Sequence, residues 1–176
     1  MILPIVRMGH PVLQKRAEEV KDVSQPEIQN LIANMLEAFH ASGGVGLAAP
    51  QVAESVRIVV FQLPIELGKM RGYPDGIPLT TLINPVIEPL SEEMQLGWEG
   101  CLSIPGMMGE VPRHQAIRFS GLNEKGQKIS REVEGYYARI VQHECDHLEG
   151  ILYPQRMTNL QKFGFVAEIK DSLVLA

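Results

Sequence analysis

Gln142-His143-Glu144-Cys145-Asp146-His147-Leu148-Glu149-Gly150 is the stretch from which the rest of the chain is read. It continues a segment that begins at Gly135 and reads as a helix, closed by Gly150. At about 100° per residue, His147 lies about 40° round the helix from His143, and Glu144 about 100°. Both imidazoles can hold one metal ion, with a carboxylate beside them to take a proton from bound water. Cys145 falls at about 200°, on the opposite side, and is a poor ligand candidate. Two unrelated histidines on a helix is the competing reading, and it is the weaker one in a chain holding five His in all.

Length and composition set the bounds. The 176 residues suit a single domain, 1–176, with one sizeable core. Hydrophobic content of 45% and charged content of 21% are those of a soluble globular protein. A net charge of -5 leaves no basic patch that would argue for direct nucleic-acid binding. No apolar run approaches membrane-spanning length, so no membrane association is expected. The N-terminus lacks a signal-peptide pattern, so a cytoplasmic location is expected. In that reducing compartment Cys101 and Cys145 are not expected to pair.

Outward from the helix, the chain alternates short elements. Ile2, Leu3, Ile5 and Val6 make an apolar start. Pro11 is placed to open a short helix through Glu19. A longer helix runs from Gln25 or Pro26 to about Ala41, with Ile28, Leu31, Ile32, Met35, Leu36 and Phe39 as one buried stripe. Ser42 to Gln51 follows, with glycines at 43, 44 and 46 that permit unusual backbone angles and close approach. It does not match a phosphate-binding loop. It reads either as a wall for an extended ligand or as a plain helix-to-strand turn.

Arg57–Leu63 reads as a strand, and 64–78 as a surface loop. Leu79–Ile83 and Val86–Leu90 read as two strands broken by Asn84-Pro85, with proline arguing for edges or bends. Ala116–Gly121 and Lys128–Val133 form a hairpin around Asn123-Glu124-Lys125-Gly126. Ile151-Leu152-Tyr153 reads as a short strand. Thr158 is placed to cap a last helix carrying Leu160, Phe163, Val166 and Ile169.

The third metal ligand decides the chemistry. An extended motif ending in a third histidine fails, because that position is Tyr153. A downstream carboxylate would have to be Glu168, since Glu149 is too near the motif. Cys101, in Gly97-Trp98-Glu99-Gly100-Cys101-Leu102-Ser103-Ile104, is the better choice, because a thiolate suits a borderline divalent metal.

At this point three stretches resemble the signature motifs of peptide deformylase: Gly44 to Gln51, Glu99 to Ser103 and Gln142 to Leu148, in the family's order and with similar intervals. The likeness runs from Val6-Arg7 to about Met157. Trp98, Ser120-Gly121-Leu122 and the short C-terminal segment look closer to organelle-type members than to longer-tailed bacterial ones. The resemblance implies an enzyme that removes the formyl group from the N-terminal formyl-methionine of nascent peptides, releasing formate. It implies Cys101, His143 and His147 as ligands to one divalent ion, Fe2+ in the cell, with Zn2+, Ni2+ or Co2+ able to replace it. Water on that ion would attack the formyl carbon, with Glu144 as general base and acid. The Gln51 side-chain amide and the Leu102 backbone N–H would hold the oxyanion.

By the same likeness, Val45, Gly46 and Gly100 would flank an extended peptide. Val45, Tyr136 and Ile140 would line a methionine pocket, with Glu99 and Arg113 as a charge pair at its edge. Asp146 would orient a histidine or hold backbone, or remain a solvated carboxylate. A transient ribosome contact is conceivable, but Lys162 and Lys170 alone make no electrostatic anchor. Two rivals stand beside this reading: a metallopeptidase with Glu168 as ligand, and a binding module with a structural metal. The expected fold is α+β, with short, mostly antiparallel sheets around a central helix carrying the metal motif, and a C-terminal helix.

Overall fold

The computed structural model describes residues 3–169. Strand β2 (Ile58–Leu63) shows how the layers are made. Successive side chains of a strand point to opposite faces. Val59, Phe61 and Leu63 accordingly enter a core with Ala138, Val141 and Leu148 of helix α3 (Gly135–Leu148). Ile58 and Val60 enter a second core with Ile32, Met35 and Phe39 of helix α1 (Pro26–Ser42). A continuous apolar run, Ile-Val-Val-Phe, is what a strand covered on both faces requires.

This sheet has the order β1-β2-β3-β6-β7, all antiparallel, with β1 (Gly46–Ala48), β3 (Ile77–Pro89), β6 (Ala116–Leu122) and β7 (Lys128–Glu134). A second antiparallel sheet has the order β4-β5-β8, with β4 (Met94–Cys101), β5 (Ile104–His114) and β8 (Phe163–Phe165). Helix α3 lies between the two sheets, touching β1, β2, β5 and β6. The α+β architecture with antiparallel sheets around the motif helix is the expected one.

Several local expectations are corrected. The two expected segments merge into one strand, Ile77–Pro89, with Leu90 outside it, and it is the central strand of the five. The register shifts between Ile83 and Val86, so Pro85, which has no N–H, sits in an irregularity. Asn84 adopts φ +49 there, and its side-chain amide closes on the backbone of Val20 through two hydrogen bonds of 2.8 and 2.9 Å. The helix from Pro11 is a single 3-10 turn, Pro11–Gln14. Beyond it the backbone is used elsewhere: the Ala17 N–H donates to Leu148 O and the Glu18 N–H to Ser55 O.

Loop 64–78 contains a short helix, α2 (Ile65–Lys69). Tyr153 begins a 3-10 turn, Tyr153–Arg156, in place of a strand. Asn159, not Thr158, caps the 3-10 turn Leu160–Lys162. The chain then pairs as β8 with Met107–Gly109 before turning helical at 166. Phe163-Gly164-Phe165 fits a strand's alternation, and glycine is a poor helix former. Met1, Ile2 and Lys170 lie outside the described residues. Among the described residues, no helix is long and apolar enough to cross a membrane.

The end of α3 is fixed by a close approach. Gly150 has φ +72, and a Cβ there would lie 2.7 Å from the carbonyl carbon of Gln14. Gly126 in the hairpin has the same handedness (φ +73), but a Cβ would meet only Val23 Cβ at 3.9 Å. Gly150→Ala is expected to destabilise the protein by about 2–4 kcal/mol, from left-handed strain plus overlap, and Gly126→Ala by about 1 kcal/mol. Urea unfolding midpoints of the two variants check the difference.

Candidate metal centre and peptide cleft

Two elements bring the donors together. α3 supplies His143 and His147, and Cys101 ends β4 at a shift in register between Glu99 and Cys101. The ligand atoms of Cys101, His143 and His147 lie within 4.8 Å of one another, and they are the one such group among the described residues. Cys101 Sγ is 3.4 Å from His147 Nε2. Glu168 lies exposed near the end of the described chain and is not part of the group. Cys145 is buried in the core behind α3, where burial pushes its thiol pKa up and keeps it protonated.

The donor set fits a divalent ion. His143 Nδ1 sits 2.8 Å from Glu99 Oε2, and as the N–H donor in that bond it leaves its other nitrogen as a ligand. Burial alone would lower the His143 pKa, but the Cys101 sulfur and the Glu99 carboxylate raise it well above the usual histidine range. The cluster therefore favours a positive charge among its donors. His147 is held neutral by burial and by its neighbour His143, so its ring offers a lone pair.

Glu99 is the hub behind the ligands. It accepts two hydrogen bonds from Arg113, Nε at 2.9 Å and Nη2 at 3.0 Å, and one from Arg139 Nη1 at 2.8 Å. Burial would raise its pKa, but hydrogen bonds from His143 and Arg113 outweigh burial and hold it well below the usual carboxylate range. Arg113 also donates to Asp146, which takes two further bonds from Arg156, at 2.8 and 3.1 Å. Asp146 is therefore neither a histidine-orienting group nor a solvated carboxylate. The Glu99–Arg113 pair exists, but Arg113 is buried behind the histidines and does not line the cleft.

A cleft of about 730 Å3 opens in front of this cluster. Gln51, Leu102, Val45, Gly46, Gly100, Glu99, Tyr136, Ile140, Cys101, His143 and Glu144 all line it, and His147 lies behind them, fully buried. Gln51 Oε1 accepts from the Ala48 N–H at 2.9 Å, which turns its amide nitrogen toward Cys101 Sγ (3.5 Å) and Ser103 Oγ (3.2 Å). Glu144 is buried with Oε2 unpartnered, and burial raises its pKa to about 7 against the opposing pull of His143. A carboxyl group poised near neutrality can both take and return a proton. Gly46 makes room for it, since a Cβ there would overlap the Glu144 carboxylate. Because β1 ends its sheet, its outer edge is unpaired among the described residues.

A family model described as polypeptide deformylase matches residues 2–163. The chain belongs to the polypeptide deformylase family. A peptide deformylase 1 of Bordetella pertussis is 50% identical over 167 residues, 94% of this chain and 93% of that one. The solved deformylase of Ehrlichia chaffeensis superposes with TM-score 0.82 at 32% identity, covering 99% of this chain and 98% of the other. A Met-Ala-Ser-bound deformylase of Acinetobacter baumannii gives TM-score 0.79 at 34% identity, covering 89% of this chain and 99% of the other.

Sequence reasoning missed Arg139. It is buried on α3, one turn before His143, and its guanidinium donates to Glu99 and to the carbonyls of Gln95, Gly97 and Val111. The absent side chain of Gly97 is the one available signal, since a Cβ there would strike that guanidinium at 2.8 Å. Tyr153, whose ring stacks on His143 with centroids 6.1 Å apart, was also not foreseen in that place. Glu99→Gln is expected to weaken the deformylase's hold on a divalent metal by about 10–100-fold, because the group orienting His143 loses its charge. Competition with a chelating dye measures it. Gly46→Ala should leave metal affinity near wild type and lower kcat, since the displaced group is Glu144.

Proposed function

We propose that this chain hydrolyses the N-formyl group of formyl-methionine at the start of nascent peptides, with Cys101, His143 and His147 holding one divalent ion, Fe2+ in the cell. The observation that carries the reading is the meeting of one sulfur and two imidazoles beside an unpaired strand edge and a buried carboxyl group. A bound divalent ion supplies a Lewis acid and lowers the pKa of water toward neutrality. Glu144 takes the proton of the attacking water and returns it to the leaving amine, a role its pKa near 7 supports.

The Gln51 Nε2–H2 and the Leu102 N–H donate to the oxygen that gains negative charge; one such donor is worth roughly 3 kcal/mol of barrier. Gly46 and Val45 offer an edge to which an extended peptide adds as a further strand, with Gly100 across the cleft. Val45, Tyr136 and Ile140 take the methionine side chain; Tyr136 and Ile140, four residues apart, share a face of α3.

Formate release from formyl-Met-Ala-Ser by Fe2+-loaded protein prepared without oxygen tests the proposal. Turnover is expected, and Glu144→Gln should reduce kcat at least about 100-fold with metal content unchanged. Metal bound without turnover would instead favour a binding module. Cys101→Ala should lose the metal while Glu168→Ala keeps it, and the reverse pattern would favour the metallopeptidase.

A further inference from the structure

The proposed mechanism leaves one charge in the cleft unused. Among its described lining residues, Glu99, Arg139 and Glu144 are buried and His143 is nearly so, whereas Arg71 is exposed. Arg71 follows α2, and its guanidinium carbon lies 4.0 Å from the centre of the Tyr136 ring. No carboxylate among the described residues pairs with it. The other charged groups near the cluster answer one another: Arg113 and Arg139 meet Glu99, and Arg156 meets Asp146. The loop is anchored beneath Arg71, because the Tyr73 hydroxyl donates to Glu134 O at 2.7 Å and accepts from the Tyr137 N–H at 3.1 Å. Stacking on Tyr136 restrains a long side chain that would otherwise lose much entropy on binding.

We infer that Arg71 is a specificity-determining residue that selects formylated peptides with a carboxylate side chain at the third position. The register follows from strand geometry and rests on the reading of the cleft given above. In an extended peptide added to β1, side chains alternate between faces, so the first and third residues share one, about 7 Å apart. With the methionine directed at Tyr136 and Ile140, the third side chain leaves the pocket beside the cation stacked on Tyr136. The second residue points away from it.

The test compares kcat/KM for formyl-Met-Ala-Asp-amide with formyl-Met-Ala-Asn-amide, and for formyl-Met-Asp-Ser-amide with formyl-Met-Asn-Ser-amide, using the Fe2+-loaded enzyme. Amidation removes the terminal carboxylate, and each ratio, taken within one preparation, is independent of the folded fraction. Wild type should prefer aspartate over asparagine at the third position by about two- to fivefold, the range of an exposed ion pair, and show no such preference at the second. The preference should fade in high salt, disappear in Arg71→Ala and invert in Arg71→Glu. Equal rates at the third position in wild type, a preference at the second position instead, or a ratio unchanged in Arg71→Ala would each overturn the inference. Failure to deformylate even the asparagine peptide would overturn the proposed function instead.

Discussion

The site depends on one buried carboxylate. Glu99 gives one oxygen to Arg139 and to Arg113 Nε, and the other to Arg113 Nη2 and His143 Nδ1. An ionised carboxylate out of water is costly unless its lone pairs are used, and here two guanidiniums and an imidazole use them. The consequence is geometric. β4, which carries Glu99 and Cys101, is fastened to α3, which carries Arg139, His143 and His147. The same bonds that keep Glu99 charged therefore set the sulfur against the two rings.

The surrounding layers make that fastening possible. α3 has apolar residues facing the five-stranded sheet and chemistry facing the other side, so one helix serves as core and as site wall. Its far end is pinned through Gly150 against Gln14, and the N-terminal segment ties two cleft stretches together: the Val6 N–H donates to Gln51 O and the Met8 N–H to Ser103 O. Gly46 and Glu144 fit together in a different way. An edge strand can pass close to a buried carboxyl group only where it carries no side chain, so the same glycine serves the open edge and makes room for Glu144.

What was legible in the sequence was what periodicity encodes. The spacing of His143, Glu144 and His147 gave the helix face, the stripe from Ile28 to Phe39 gave α1, and Asn123–Gly126 gave the hairpin. Cys101 was legible by exclusion of Tyr153, Glu168 and Cys145 as ligands. What was not legible depends on partners far away in the chain. Arg139 reads locally as a helix arginine among apolar neighbours, and its acceptors on β4 and β5 are at least 28 residues distant. Asp146 meets Arg113 and Arg156 only once β5 and the turn after α3 are in place. Phe163–Phe165 is held as a strand by the edge of β5, which outweighs a helix-like spacing of apolar residues. Proline at 85 suggested an edge, but an irregular register let it sit in the middle of the sheet.

X-ray absorption at the metal edge of the loaded protein tests the central claim most directly. One sulfur scatterer at about 2.3 Å and two imidazole nitrogens at about 2.0–2.1 Å are expected, for one metal ion per chain with zinc bound. A first shell of nitrogen and oxygen alone, with no sulfur, would contradict it.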